Sequence, residues 1–155
     1  MKWPQAGGVN MRCLMILACC LPLHHLHLTS GFGYRIHPIT GKWAYHSGID
    51  LSARADTVFC ILDGVVRQSG YDQKLGLYIR IDHGSGVTST YGHLSQSWVM
   101  KADTLTESQP IGITGATGQV TGEHLHFSIA FGQHYLNPLL FLRQLLKPIQ
   151  TPKEP

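Results

Sequence analysis

No Cys-x-x-Cys pair occurs among the four cysteines of this chain, which removes a thioredoxin-type redox motif and a zinc ribbon from consideration. Cys13, Cys19 and Cys20 crowd one apolar stretch near the N-terminus, and Cys60 stands alone in "TVFCIL", where it reads as a small buried hydrophobe. The sequence also lacks an apolar run of about 20 residues, the length a helix needs to cross a bilayer. Its best candidate, "MRCLMILACCLPL" from Met11 to Leu23, is too short to span and reads instead as a targeting segment. Basic residues at Lys2 and Arg12 flank its brief apolar core, and "ILAC" (Ile16 to Cys19) has the form of a lipoprotein cleavage site. Charge is scarce, 14 % of residues with a formal net charge of +3, and no Lys/Arg run is interleaved with aromatics. Nucleic-acid binding is therefore not expected. Scarce charge combined with 43 % hydrophobic residues also excludes a disordered chain.

Turn formers are plentiful: 17 glycines and 8 prolines break the text into short apolar or alternating runs. "LPLHHLHL" (Leu21 to Leu28) comes first. "TVFCIL" (Thr57 to Leu62) meets "VVRQSG" across Asp63-Gly64, a sequence that predicts a hairpin. "LYIRID" (Leu77 to Asp82) and "VTSTYG" (Val87 to Gly92) flank "HGSG", which predicts another. "IGIT" and "HLHFSIAF" follow, separated by the glycine-rich "GATGQVTGE". Strands spaced by turns, with no helical period between them, predict an all-β fold. One helix closes the domain, with Asn137 as its cap, Pro138 in its first turn and an apolar face in "LLFLRQLL". With 155 residues the chain supports one core and not two. The expected organisation is an N-terminal apolar segment (1–19), one domain (20–147) and a loose Pro-rich tail (148–155).

Ten histidines are many for this length. His24, His25 and His27 form a cluster with no carboxylate nearby, and they read as surface or groove-lining residues, His25 and His27 on one strand face. His83 in a hairpin turn and His134 near a strand end have no local partner in the sequence. His124 and His126 are different, because residues two apart on a strand emerge side by side. His46 and Asp50 are also evenly spaced and converge if their segment is bent or short. Two imidazoles and one carboxylate with a fourth position open form the pattern of a catalytic zinc site, and that donor set suits zinc better than magnesium or calcium. Only one histidine of the HxH pair is needed as ligand. The spacing leaves open which, and its neighbour would then stand beside the open position. With His93, read as the end of a strand in "YGHLS", it would move protons for a water attacking a polarised carbonyl.

"TSGFGYRIHPITG" (Thr29 to Gly41), "HSGIDLSA" (His46 to Ala53), "YGHLS" (Tyr91 to Ser95), "TGATGQVTGEHLHF" (Thr114 to Phe127) and "NPLLFL" occur in that order. Together they resemble the lysostaphin-type, LytM-like zinc metallo-endopeptidases that hydrolyse peptidoglycan, over about Leu21 to Leu142. The resemblance implies an antiparallel β-sheet groove of barrel-sandwich hybrid type with a short C-terminal helix. It implies one zinc per chain, held by His46, Asp50 and His126, with His93 and His124 as the catalytic pair that orients and deprotonates the attacking water. Arg35 and His37, in "GYRIHP", would line the substrate cleft. The implied substrate is a stem or cross-bridge peptide of the bacterial wall. The expected setting is the cell envelope, with envelope machinery as a further partner, no nucleic acid, and a monomer by default. Ser128 stands where many relatives carry Glu, without expected loss of activity. Some twenty residues precede the domain, which predicts a groove that no upstream segment blocks. Two other classes compete: a non-catalytic wall-binding or amidase-activating module on the same scaffold, and a histidine phosphocarrier.

Overall fold

Alternation along His124–Phe131 sends Leu125, Phe127 and Ile129 to one side of a sheet, where all three are fully buried. His124 and His126 emerge on the other side, so this one strand supplies both the core and the site. The structure, a computed structural model, describes residues 21–36 and 40–146. The N-terminal segment, His37 and the Pro-rich tail lie outside the described residues.

Among the described residues, twelve strands and one helix follow in chain order. They are β1 (Leu28–Ser30), β2 (Gly33–Ile36), β3 (Trp43–His46), β4 (Ile49–Ser52), β5 (Thr57–Phe59) and β6 (Gly64–Asp72), then β7 (Gly76–Asp82), β8 (Val87–Ser97), β9 (Thr104–Leu105), β10 (Pro110–Thr114), β11 (His124–Phe131) and β12 (His134–Leu136). The helix α1 (Pro138–Leu145) ends the described fold. Ten strands form one antiparallel sheet, in the order β1-β4-β11-β8-β7-β6-β9, with β12 on β11 and β10 joining β5 to β8. The hairpin of β2 and β3 stands apart as a two-stranded sheet.

The core lies between the layers of this folded sheet. Ile49 and Leu51 of β4, Ile79 and Ile81 of β7, Tyr91 and Leu94 of β8 and Ile111 of β10 meet the apolar side of β11 there, all fully buried. The Tyr91 and Phe127 rings pack at 5.3 Å between centroids. Helix α1 begins as its sequence predicts: the Asn137 side chain accepts from the Leu139 and Leu140 N–H groups, Pro138 occupies the first turn, and Leu142 docks on the core. Cys60 is buried, its thiol donating to the Leu62 carbonyl at 2.9 Å, and burial pushes its pKa up to about 11. That is the inert role expected of it.

The "HGSG" hairpin forms as predicted, with Gly84, Ser85 and Gly86 at positive φ between β7 and β8. The hairpin expected at Asp63-Gly64 does not form. β5 pairs with β10, and β6 pairs with β7 and β9. Gly64 is not left-handed. Glycine is needed there for closeness, because a Cβ would meet the Asp82 carbonyl oxygen at 2.6 Å. The Asp63 carboxylate instead caps the turn between β9 and β10, accepting from Glu107 N–H at 2.7 Å. Residues 21–27 form no strand, so His25 and His27 share no strand face; both are exposed, and His24 stands edge-on to Phe59.

His83 also departs from its sequence reading, because it has partners. Its Nδ1–H donates to the Asp63 carbonyl at 2.9 Å, which leaves Nε2 to accept from Ser89 Oγ at 2.7 Å. Burial lowers the His83 pKa below the ordinary value of about 6.5, and the Asp63 and Leu62 carbonyls with the Asp82 and Asp63 carboxylates offset this only in part. The unfolded chain therefore takes up this proton first. The His83 contribution is complete above pH of about 6.5 and is lost as the pH falls further. Denaturant midpoints measured from pH 8 to pH 5 should fall less steeply in His83→Gln than in the wild type; equal slopes would contradict the assignment.

Candidate metal centre and catalytic site

Strand β11 lies between β4 and β8. Its register places His126 directly opposite Asp50 on one side and Gly92 on the other, and His124 opposite Ser52. Cross-strand partners share a face, so His124, His126 and Asp50 project together. His46 arrives from the other sheet. It closes β3, and Ser47-Gly48 swing the chain into β4, so His46 and Asp50 converge across a break rather than along one strand.

The break depends on Gly48. A Cβ there would lie 2.4 Å from the Phe127 carbonyl oxygen and 2.9 Å from the His126 ring. No other residue lets the turn pack so close.

Three donor atoms meet at this point. His46 Nε2, Asp50 Oδ1 and His126 Nδ1 lie 3.0 to 3.2 Å from one another. The His46 Nδ1 faces the Gly31 carbonyl at 2.8 Å. A carbonyl only accepts, so in the neutral ring Nδ1 carries the proton and Nε2 turns a lone pair toward Asp50. Two lone-pair atoms 3.2 Å apart with no proton between them repel, and a cation relieves that. Ligand bonds of about 2.0–2.1 Å at tetrahedral angles separate donor atoms by about 3.3 Å, close to the spacing here. The donor set thus fits zinc, with a fourth position open to the cleft. The Gly31 carbonyl fixes the His46 ring as metal ligands commonly require.

Electrostatics agrees with this chemistry. Burial would raise the Asp50 pKa, but the His126 and His46 rings beside it hold it well below the usual carboxylate range. Burial lowers the His126 pKa, with Asp50 opposing. The site thus offers two imidazole nitrogens and one ionised carboxylate.

His93 reaches the cleft by an irregularity. Between the pairs Leu77↔Leu94 and Ile79↔Tyr91, β8 holds one extra residue, a β-bulge, and His93 there has φ of 64°. Simple alternation from buried Tyr91 would turn His93 into the core. The bulge turns it into the cleft and sends Leu94 inward instead. A left-handed non-glycine residue costs about 1–3 kcal/mol, and such strain gathers where function needs it. The strand does not end at His93, as the sequence suggests; it changes partner there, from β11 to β10.

The His93 Nδ1–H donates to the Thr117 carbonyl at 2.8 Å, and His124 Nδ1–H to the Gly122 carbonyl at 2.9 Å. In its neutral form each ring thus carries its lone pair on Nε2. Their centroids are 4.7 Å apart, and His124 Nε2 lies 3.6 Å from Asp50 Oδ1. Burial pushes the His93 pKa down to about 4, the Thr117 carbonyl opposing and His124 adding to the shift. Thr117 anchors this arrangement: its hydroxyl donates to the Leu94 carbonyl at 2.8 Å and accepts from Leu77 N–H at 2.9 Å.

The structure therefore brings together His46, Asp50, His126, His93 and His124 in a cleft of about 340 Å³. Arg35 is also there, on the cleft side of the β2–β3 hairpin, with Nη2 3.6 Å from Asp50 Oδ2, the oxygen turned away from the histidines. Its Nε is buried without a hydrogen-bond partner. Sequence reasoning missed Tyr135, which lines the cleft from β12, and the carbonyls of Gly31, Thr117 and Gly122. Backbone acceptors leave no trace in residue identity.

Comparison with known proteins shows the family and the fold. The peptidoglycan DD-endopeptidase ShyC of Vibrio cholerae is 36 % identical over 119 residues, 76 % of this chain and 28 % of its own length. A zinc-containing peptidase from Vibrio cholerae superposes with a TM-score of 0.69 at 31 % identity, covering 79 % of this chain and 36 % of that one. The catalytic domain of lysostaphin from Staphylococcus simulans does so with a TM-score of 0.70 at 27 % identity, covering 76 % and 92 %. The lysostaphin-like β fold expected from the sequence is thus the fold observed. The chain spans less than a third of the length of the curated relatives it matches. Peptidase family M23 matches residues 44–138, well over half of the chain, and the chain belongs to that family.

Proposed function

We propose that this chain is a zinc-dependent endopeptidase acting on peptide bonds of bacterial peptidoglycan, in the cell envelope. The observation that carries the reading is the convergence, in one cleft, of three metal-donor atoms and two further imidazoles, each anchored through Nδ1 on a backbone carbonyl. A binding module needs no imidazoles anchored beside a metal position, which favours catalysis over the non-catalytic alternative. The name of the relative ShyC supports the substrate class.

His46, Asp50 and His126 would hold the zinc, one ion per chain. When bound, the ion supplies a Lewis acid that polarises the scissile carbonyl and makes water acidic enough to attack at neutral pH. His124 and His93 perform the proton work. Each has its Nδ1–H held by a carbonyl, so each offers Nε2 as the base that takes a proton from the attacking water and returns it to the leaving amine. Arg35 holds the free oxygen of Asp50 at the wall of the cleft. His37, two residues on, remains a proposed cleft residue on sequence grounds.

The test is digestion of purified cell wall by the zinc-loaded protein, reading new free amines. The account expects amine release that a chelator abolishes and added zinc restores. Release that survives complete chelation at neutral pH would contradict it.

A further inference from the structure

The sheet face that carries Asp50 and His126 continues beyond the metal centre. Thr90 lies opposite Ser128 and Arg80, and Arg80 lies opposite Gln68, so these side chains share that face. They floor a second open trough of about 730 Å³, and Tyr135 lines both trough and cleft. Among the described residues lining the trough there are three cations, Arg67, Arg80 and Lys101, and no carboxylate. Arg67 is neutralised by Asp82 at 2.7 Å. Arg80 is held by neutral groups instead. Its Nη1 donates to Gln68 Oε1 at 2.9 Å, its Nε to Thr90 Oγ1 at 3.4 Å, and its guanidinium stands 5.8 Å from the Tyr78 ring. The fork is oriented, its charge is uncompensated, and donors remain for a bidentate acceptor.

We propose that this trough is a distal arm of the substrate cleft, in which Arg80 receives a carboxylate of a peptide lying across the metal centre. The proposal rests on the peptidase reading. Two residues along the strand and two strands across put the Arg80 backbone about 12 Å from that of His126. An extended peptide covers that distance in about three to four residues. Arg80 would thereby select substrates with an acidic group at that remove from the scissile bond.

The probe is the tetrapeptide L-alanyl-γ-D-glutamyl-meso-diaminopimelyl-D-alanine against its fully carboxamidated form. Both are titrated by NMR into the zinc-loaded, isotope-labelled chain. The expected result is that the acid shifts the signals of Gln68, Arg80 and Thr90 and binds roughly tenfold more tightly than the amide, the scale of one charge-assisted contact. Arg80→Gln should remove that preference with little effect on the amide, and Arg80→Lys, which keeps the charge, should retain part of it. Equal binding of acid and amide, shifts confined to the metal cleft, or an acid preference that survives in Arg80→Gln would each overturn the proposal. Wall digestion on the same samples separates the two claims. A wild type that digests wall but shows no acid preference removes the subsite alone, whereas an acid preference without any digestion leaves a carboxylate site and removes the peptidase.

Discussion

His124→Ala should lower wall hydrolysis by about 10²- to 10⁴-fold, the usual effect of a positioned acid–base group, while the chain still binds one zinc. The separation of the two effects follows from geometry. His124 Nε2 is 3.6 Å from Asp50 Oδ1, farther than either donor atom of His46 or His126, and its Nδ1 is anchored on the Gly122 carbonyl. Truncation therefore leaves the metal donors in place and removes a base beside the open position. His93→Ala should act similarly on rate. The double variant should lose much less than the product of the two, because groups acting on one proton path do not contribute independently. Amine release at the wild-type rate in His124→Ala, measured at saturating wall substrate, would show that the histidine only lines the cleft.

Gly48→Ala carries the second large effect, and it acts through space alone. The added methyl would stand 2.4 Å from the Phe127 carbonyl oxygen, which belongs to the central strand and has nowhere to retreat, and 2.9 Å from the His126 ring. Either the turn between β3 and β4 opens, moving His46 from Asp50, or β11 shifts and carries His126 with it. Overpacking of this kind costs about 1–3 kcal/mol, and disturbance around a metal ligand typically weakens metal affinity about 10- to 100-fold. Thermal melting and competitive zinc titration should show both losses together. Wild-type zinc affinity in Gly48→Ala would mean that the site does not depend on this turn.

The parts legible in the sequence share a physical basis, and so do those that were not. Alternation along "HLHFSIAF" is local, so it gave the strand, the core side chains and the HxH pair correctly. Asn137-Pro138 is likewise a local cap, and α1 begins where it predicts. Pairing is not local. Asp63-Gly64 carries a hairpin signal, but β5 finds a better partner in β10, some fifty residues on, and Gly64 serves close packing against Asp82 instead. His93 shows the same limit within the site. Its motif could be read, but the bulge that turns its ring outward depends on β8 exchanging β11 for β10. His83 seemed isolated because its partners, Ser89 and the Asp63 carbonyl, meet it only through folding. Arg80 and Tyr135 lie in runs with no motif of their own, and their significance appears only when the registers align them on the face of His126.

Zinc content by elemental analysis, on wild type and His126→Ala prepared side by side, tests the central claim most directly. His126 Nδ1 lies 3.0 Å from Asp50 Oδ1 and 3.1 Å from His46 Nε2, so its removal leaves two donors where three are needed. The account predicts one zinc per wild-type chain and almost none in the variant. A wild type that stays metal-free after reconstitution, or a variant that keeps a full complement of zinc, would contradict it.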